Sequence, residues 1–247
     1  MTIFGVILLV VAVVLFFVAR NQAGRLHAMN AAETYTAQLL TEVHTKVTTT
    51  LDAEAFAQPC EVEGVIEADE PLTGPLSNRA CVGYTRTVTR EYEEEVTEED
   101  DEGKRETRME RGSETVESED QRVNFWVRDA TGRVLINPEG ADLDMVETAD
   151  RYEDAPSGRG RSRTLGYHYV EKALLPGTKV YILGCAVDFQ GQPIIAQHPK
   201  DSNQHFFVSR KTERELAQSA AGTSRNLYYV SGALGVLGLV LLVVGVF

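Results

Sequence analysis

The chain has 247 residues, of which 37 are acidic and 24 basic, for a formal net charge of −13. That sign excludes a general nucleic-acid binder, because backbone phosphates would be repelled. Arginine outnumbers lysine by 18 to 6, and abundant carboxylates with few lysines are the bias of a salt-adapted, halophilic surface. The three cysteines, Cys60, Cys81 and Cys185, give no disulfide framework and read as small buried apolar residues.

Residues 2–19 carry no charge and are mostly Val, Leu, Ile and Phe. Crossing ~30 Å of hydrocarbon takes ~20 helical residues, so residues 1–20 are expected to form a first membrane helix, slight tilt or thinning covering the shortfall. No basic residue precedes the run, and Ala19-Arg20-Asn21-Gln22-Ala23 is a poor cleavage site, which favours an anchor over a signal peptide. Residues 21–57 are read as a stalk. Leu26, Met29, Leu40, Val43, Val47 and Leu51 recur near every third or fourth position, which predicts an amphipathic helix from Gln22 to the mid-forties.

Residues 58–217 have the texture of a β domain. Alternation predicts strands over 61–67 and 81–92. The stretch 93–120 holds 14 acidic and 4 basic residues and almost no large apolar side chain, so it is expected to be a flexible hairpin tip. Val123-Asn124-Phe125-Trp126-Val127 and Arg133-Val134-Leu135-Ile136 flank a turn, Asp129-Ala130-Thr131-Gly132, in which Gly132 is free to take a positive φ. Residues 142–163 read as loop. Strands follow over 166–175 and 179–187, joined by Pro176-Gly177, with a turn at Gln190-Gly191-Gln192 and a last strand over 206–209. Such short strands predict a mainly β antiparallel sandwich or small barrel between two membrane helices. A helix over 210–220 leads to an uncharged second span, 227–247, in which Gly232, Gly235 and Gly238 suit close helix packing.

No phosphate-cradling loop, nucleophile elbow, HExxH or CxxC is present, and the five histidines do not pair at ligand spacing. No cofactor, metal or catalytic residue is therefore expected. The candidate binding surface is Asp129, Gly132 and Arg133 at the hairpin turn, Gly140 beyond it, and Tyr167, Tyr169 and Glu171 along one face of a strand.

Several groups of residues resemble a known family. Glu63-Gly64-Val65, Pro71-Leu72, Ser77 and Cys81-Val82-Gly83-Tyr84 form the first. The run from Phe125 to Val134, with Pro138-Glu139-Gly140-Ala141, is the second. Gly166-Tyr167-His168-Tyr169-Val170-Glu171, Leu174-Leu175-Pro176-Gly177, Tyr181-Ile182-Leu183-Gly184 and Ser209-Arg210-Lys211 complete the order. Together these resemble the GIDE domain, also called BAM ("beside a membrane"), of the organellar membrane-bound RING-type ubiquitin ligases. The likeness implies a β domain between two spans and a ubiquitin-transfer setting. The family's ligase chemistry resides in a RING finger with seven or eight Cys and His ligands. No such set follows residue 227 here, so the expectation is a prokaryotic-type member without its own ligase activity. It would be a binding or scaffold module, or a component that recruits a RING partner in trans, or a structural protein that self-associates through its spans. The expected partners are the bilayer and a protein. Arg20 and Arg25 after the first span, and Arg210, Lys211, Arg214 and Arg225 before the second, place the domain in the cytoplasm of a two-pass protein.

Overall fold

The computed structural model describes residues 2–50, 56–99, 105–156, 160, 162–201 and 204–246. In chain order the elements begin with helix α1 (Thr2–Ala31), strand β1 (Glu33–Thr34) and helix α2 (Ala37–Thr50). There follow β2 (Ala57–Glu67), β3 (Leu72–Thr73), β4 (Ala80–Cys81), β5 (Gly83–Glu99), β6 (Arg105–Arg122), β7 (Phe125–Arg128) and β8 (Arg133–Ile136). The rest are β9 (Asp142–Leu143), β10 (Val146–Asp154), β11 (Ser162–Leu174), β12 (Lys179–Phe189), β13 (Gln192–Ala196), β14 (Phe207–Ser209) and helix α3 (Glu213–Val246).

Strands β2, β7, β8, β13 and β12 are hydrogen-bonded in that order, and β12 pairs back onto β2 to close a barrel. The tight β7–β8 and β12–β13 turns force antiparallel hairpins. The long excursion between β8 and β12 lets β13 return parallel to β8, the one parallel pairing within the otherwise antiparallel five-stranded barrel. Numbered by barrel strand, the order 1-2-3-5-4 with 3 parallel to 5 is the connectivity of an OB-type Greek-key barrel. Alternate residues fill the interior: Val62 and Ile66, Phe125 and Val127, Val134 and Ile136, Val180 and Ile182, and Ile195. Leu40 of α2 is fully buried against this core, with Val43 and Val47 beside it. Each such side chain contributes roughly 1.5–3 kcal/mol relative to exposure.

Closure rests on β2, which gives residues 57–65 to β12 and 65–67 to β7. The approach is tightest at Gly64, where a Cβ would lie 2.4 Å from the Arg128 carbonyl oxygen and 2.6 Å from Val127 Cγ1. Only a residue without a side chain fits there.

A second, four-stranded sheet runs β10-β11-β5-β6. The acidic stretch expected as a flexible hairpin tip is a hairpin whose strands are paired on both sides of residues 100–104, from Gly83 opposite Arg122 to Glu99 opposite Arg105, with one register shift between Val88 and Thr89. Arginines set across from carboxylates offset the repulsion that the composition implied. Glu93 accepts from Arg111 (2.7 Å) and Arg163 (2.6 Å), Arg90 meets Glu114 at 3.0 Å, and Arg86 contacts Glu117 and Glu119. The stretch 142–163, read as loop, contains β9 and β10. Strand β10 lies at the sheet edge and is mostly exposed, so it needs no apolar alternation.

The segment expected as one amphipathic helix from Gln22 breaks at residues 32–36. There β1 joins the barrel parallel to β2, and the Tyr35 N–H donates to the Glu61 carbonyl at 2.9 Å. The turn after β12 places both Gln190 and Gly191 at positive φ, as a tight hairpin requires. Gly132 does not take the positive φ expected of it. Its turn is closed instead by Asp129.

Helices α1 and α3 pack antiparallel. Phe16 meets Tyr228 edge to face at 5.8 Å, and Gly5 lies against Gly238. Gly235 reaches Ala12, whereas Gly232 faces open space. Both helices are long and apolar enough to cross a membrane. Phe4, Val10, Phe17, Leu237 and Val240 point outward, the arrangement suited to lipid as solvent.

Replacing Gly64 with Ala is expected to lower stability by at least about 1–3 kcal/mol, the cost of forcing an extra carbon into a packed site. Urea denaturation of the full chain in detergent, followed by Trp126 fluorescence, measures this. An unchanged midpoint would show that the barrel is not closed tightly at this strand.

Candidate functional site

The hairpin turn between β7 and β8 is built around the Asp129 carboxylate. Its Oδ1 accepts from the N–H groups of Thr131 (2.6 Å) and Gly132 (2.9 Å) and from the Thr131 hydroxyl (2.8 Å). Its Oδ2 accepts the N–H of Ala37 at 2.7 Å, and Thr131 Oγ1 accepts that of Gln38 at 3.2 Å. The first amides of α2, which have no partner within the helix, are thus capped by a turn some ninety residues away. Burial alone would raise the Asp129 carboxyl, but these hydrogen bonds outweigh it and hold the group below the usual aspartate range. Further along α2, buried His44 Nε2 lies 2.7 Å from Asp188 Oδ1 at the end of β12, with the Phe56 ring edge-on at 5.0 Å.

Between α2 and this turn runs an open groove of about 500 Å³, lined by Ala37, Thr41, Thr45, Lys46, Gly132 and Arg133 among others. At its rim the Arg133 guanidinium stacks on the Trp126 ring, 4.1 Å from the centroid. The Trp126 indole N–H donates to Asp69 at 2.9 Å. Phe125 and Val127 point into the barrel, so Trp126 and Arg128 project from its outer face.

The seven residues singled out in the sequence occupy three places. Asp129, Gly132 and Arg133 meet at the groove. Gly140, at φ +79°, belongs to the loop 138–141, whose carbonyls at Pro138 and Ala141 accept from Arg122. Tyr167, Tyr169 and Glu171 lie on β11, in the second sheet. Tyr169 faces Arg151. Glu171 is no surface residue but is completely buried. Its carboxylate accepts from the Leu76 N–H (2.7 Å), the Ser77 hydroxyl (2.5 Å) and the Thr148 hydroxyl (2.6 Å). Burial opposes ionisation of Glu171, but these donors prevail and keep it below the usual glutamate range. It pins the β3–β4 hairpin to the second sheet.

Long-range partnerships escaped the sequence reading. Arg25 of α1 reaches Asp142 (2.5 Å) and lies over the Phe207 ring, while Arg210 holds Asp144 (2.9 Å). Met29 and Leu216 pack with Tyr181, Leu183 and Phe207. Buried Glu61 accepts from the hydroxyls of Thr34 and Tyr181, both at 2.5 Å. Burial, then the bond and charge of Glu61, push the Tyr181 phenol well above the tyrosine range. Side-chain spacing could not reveal such pairs; the two partners of Glu61 alone lie 27 and 120 residues from it. Burial raises all three thiols, Cys60 to about 12 and Cys185 to about 11, which makes them poor nucleophiles. Among the described residues no group of three His, Cys, Asp or Glu is placed to hold a metal ion.

A family model described as GIDE, E3 ubiquitin ligase, matches residues 93–245, well over half of the chain. The match takes in β6 to α3 and therefore the β7–β8 turn. It leaves out α2, β2 and the motifs around Gly64 and Cys81. No curated protein and no solved structure matches the chain.

Replacing Asp129 with Ala removes the acceptor of the Ala37 N–H and the closure of its turn together, leaving Thr36 on the Leu39 N–H, with an expected loss of about 1–2 kcal/mol. Hydrogen exchange should quicken at Ala37 and Gln38 first; unchanged protection there would separate the turn from the helix. Glu171→Gln is expected to lower stability at neutral pH. The native advantage comes from a depressed folded-state pKa. It is fully present above the ordinary glutamate value near ~4.3 and is lost as pH falls through the depressed one. Urea midpoints of the two proteins should therefore converge in acid, and a constant gap down to strongly acidic pH would contradict the assignment.

Proposed function

The chain belongs to the GIDE family, and we propose that it is a membrane-anchored docking module whose groove between α2 and the β7–β8 turn receives a protein partner. Family membership makes it an E3-ligase-related, membrane-associated module. The finer reading rests on one observation: the groove is bordered by a partly exposed, stacked Trp126–Arg133 pair. Tryptophan and arginine are the residues that most often carry binding energy at protein interfaces. The two apolar helices are the anchor, with the barrel on the cytoplasmic side and ubiquitin-transfer chemistry supplied by the recruited partner. Self-association through the spans is the competing role.

A photoreactive residue at Thr41, tested in native membranes, is expected to capture one protein distinct from the chain. The same probe at Thr97 on the β5–β6 ribbon is expected to miss it. Capture should fall at least about tenfold in Trp126→Ala or Arg133→Ala, the loss typical of a binding hot spot. Capture of the chain's own copies alone, or capture indifferent to both substitutions, would remove the docking reading. A captured conjugating enzyme or RING protein supports the ubiquitin-transfer setting.

A further inference from the structure

If α1 spans a membrane, which is the reading this inference rests on, its charge-free part ends at Ala19 and Arg20 marks the hydrocarbon edge. Arg25 then stands about 8 Å further along the helix, at ~1.5 Å per residue. The headgroup layer adds roughly 5–8 Å to each side of the hydrocarbon, so Arg25 sits at the height of lipid phosphates. The barrel reaches α1 at this level. His205 Nε2 lies 3.0 Å from where a Gly24 Cβ would be, and Arg25 engages Asp142 and Phe207.

Here a pocket of about 280 Å³ opens between α1, β14 and the start of α3, lined among others by Arg25, Asp142, Asp144, Phe207, Lys211 and Leu216. Its two carboxylates do not make it acidic. Asp144 is already held by the side chain and N–H of Arg210 from outside the pocket, so the two lining cations, Arg25 and Lys211, face one remaining carboxylate, Asp142. Asp142 is more than half exposed, while Arg25 Nε is buried without a hydrogen-bond acceptor. Arg25 is therefore incompletely satisfied, with an exposed lysine on the same pocket and an apolar wall, Phe207 and Leu216, that continues into the cluster of Met29, Tyr181 and Leu183 on the barrel side. A phosphodiester suits this combination. Guanidinium and ammonium groups both bind phosphate oxygens, and the height of Arg25 in the headgroup layer suits a lipid phosphate better than a free ion.

We propose that this pocket holds the phosphate of an anionic phospholipid headgroup, with Arg25 and Lys211 as its cationic contacts and Phe207 and Leu216 closing it on the barrel side. The lipid fixes the seat of the barrel on the bilayer.

The test uses the full chain in nanodiscs of phosphatidylcholine containing a minor fraction of phosphatidylglycerol, with native mass spectrometry after gentle release. One phosphatidylglycerol per chain is expected to be retained. Lys211→Gln changes an exposed residue and leaves the Arg25–Asp142 pair in place; it should cut retention by about tenfold, as losing a charged hydrogen bond does. Arg225→Gln, exposed on α3 outside the pocket, should leave retention unchanged. Full retention by the Lys211 variant would overturn the proposal, and so would an equal loss in the Arg225 variant, which would mark diffuse attraction. Displacement of the lipid by excess inorganic phosphate would assign the pocket to the free ion instead. Release of the chain from vesicles by alkaline carbonate would overturn the spanning reading itself, and the inference with it.

Discussion

The fold depends on one strand serving both edges of a closed barrel. Strand β2 gives most of its length to β12 and its last residues to β7. It can do so only where Gly64 lets the Arg128 carbonyl approach. Without that contact the five strands form an open sheet with two exposed edges, the arrangement most prone to unwanted pairing. With it, the interior has a fixed shape that Leu40 of α2 completes. The turn that caps α2 emerges from β7 and the aspartate that holds His44 ends β12, so both tethers of the helix sit on strands whose positions closure fixes.

The electrostatics of the chain are those of an acidic surface with arginines placed where carboxylates converge. Along the β5–β6 ribbon nearly every exposed arginine faces a glutamate across the strand. Exposed pairs of this kind contribute only about 0–1 kcal/mol each. Their larger effect is to remove the like-charge repulsion that would otherwise oppose pairing of so acidic a segment. Arginine suits the role better than lysine because its planar fork bonds carboxylates bidentately, as Arg122 does on Asp120. Inside the protein the two deeply buried carboxylates are treated differently: Glu171 and Glu61 are stabilised by hydroxyl and amide donors rather than by cations. Such groups depend on precise donor placement, which is why each sits at a junction between elements.

What could be read from the sequence followed from strong local signals. Uncharged runs marked the two long helices, and alternation around Trp126 marked the β7–β8 hairpin. The polar strands β6 and β10 were not legible, because a strand exposed on its faces or edge carries no apolar periodicity. The split of the stalk was hidden too, since the break at Tyr35 is imposed by pairing with Glu61, far along the chain. At the candidate site the sequence singled out the turn Asp129-Ala130-Thr131-Gly132 but not its use. Asp129 is consumed in capping α2, and only the position of α2 makes a groove there. Glu171 drew notice as one of a row on a strand; that the row turns inward at its end depends on the β3–β4 hairpin covering it.

The arrangement of β12 joins the two ends of the molecule in a single rigid element. Its first half carries Tyr181 and Leu183, which pack against Met29 of α1 and Leu216 of α3. Its far end carries Asp188, which holds His44 of α2. Between these points β12 is hydrogen-bonded on one side to β2 and on the other to β14 and then β13, so little relative motion is available without breaking a ladder. The consequence is fixed presentation rather than signalling. A path of packed residues does not itself establish coupling. A groove held in this way keeps one height and one orientation relative to the α1–α3 pair. That reduces the orientational freedom a partner at the same bilayer surface must lose on binding. On the docking role proposed above, this geometry favours partners that are themselves confined to the membrane over partners arriving from solution.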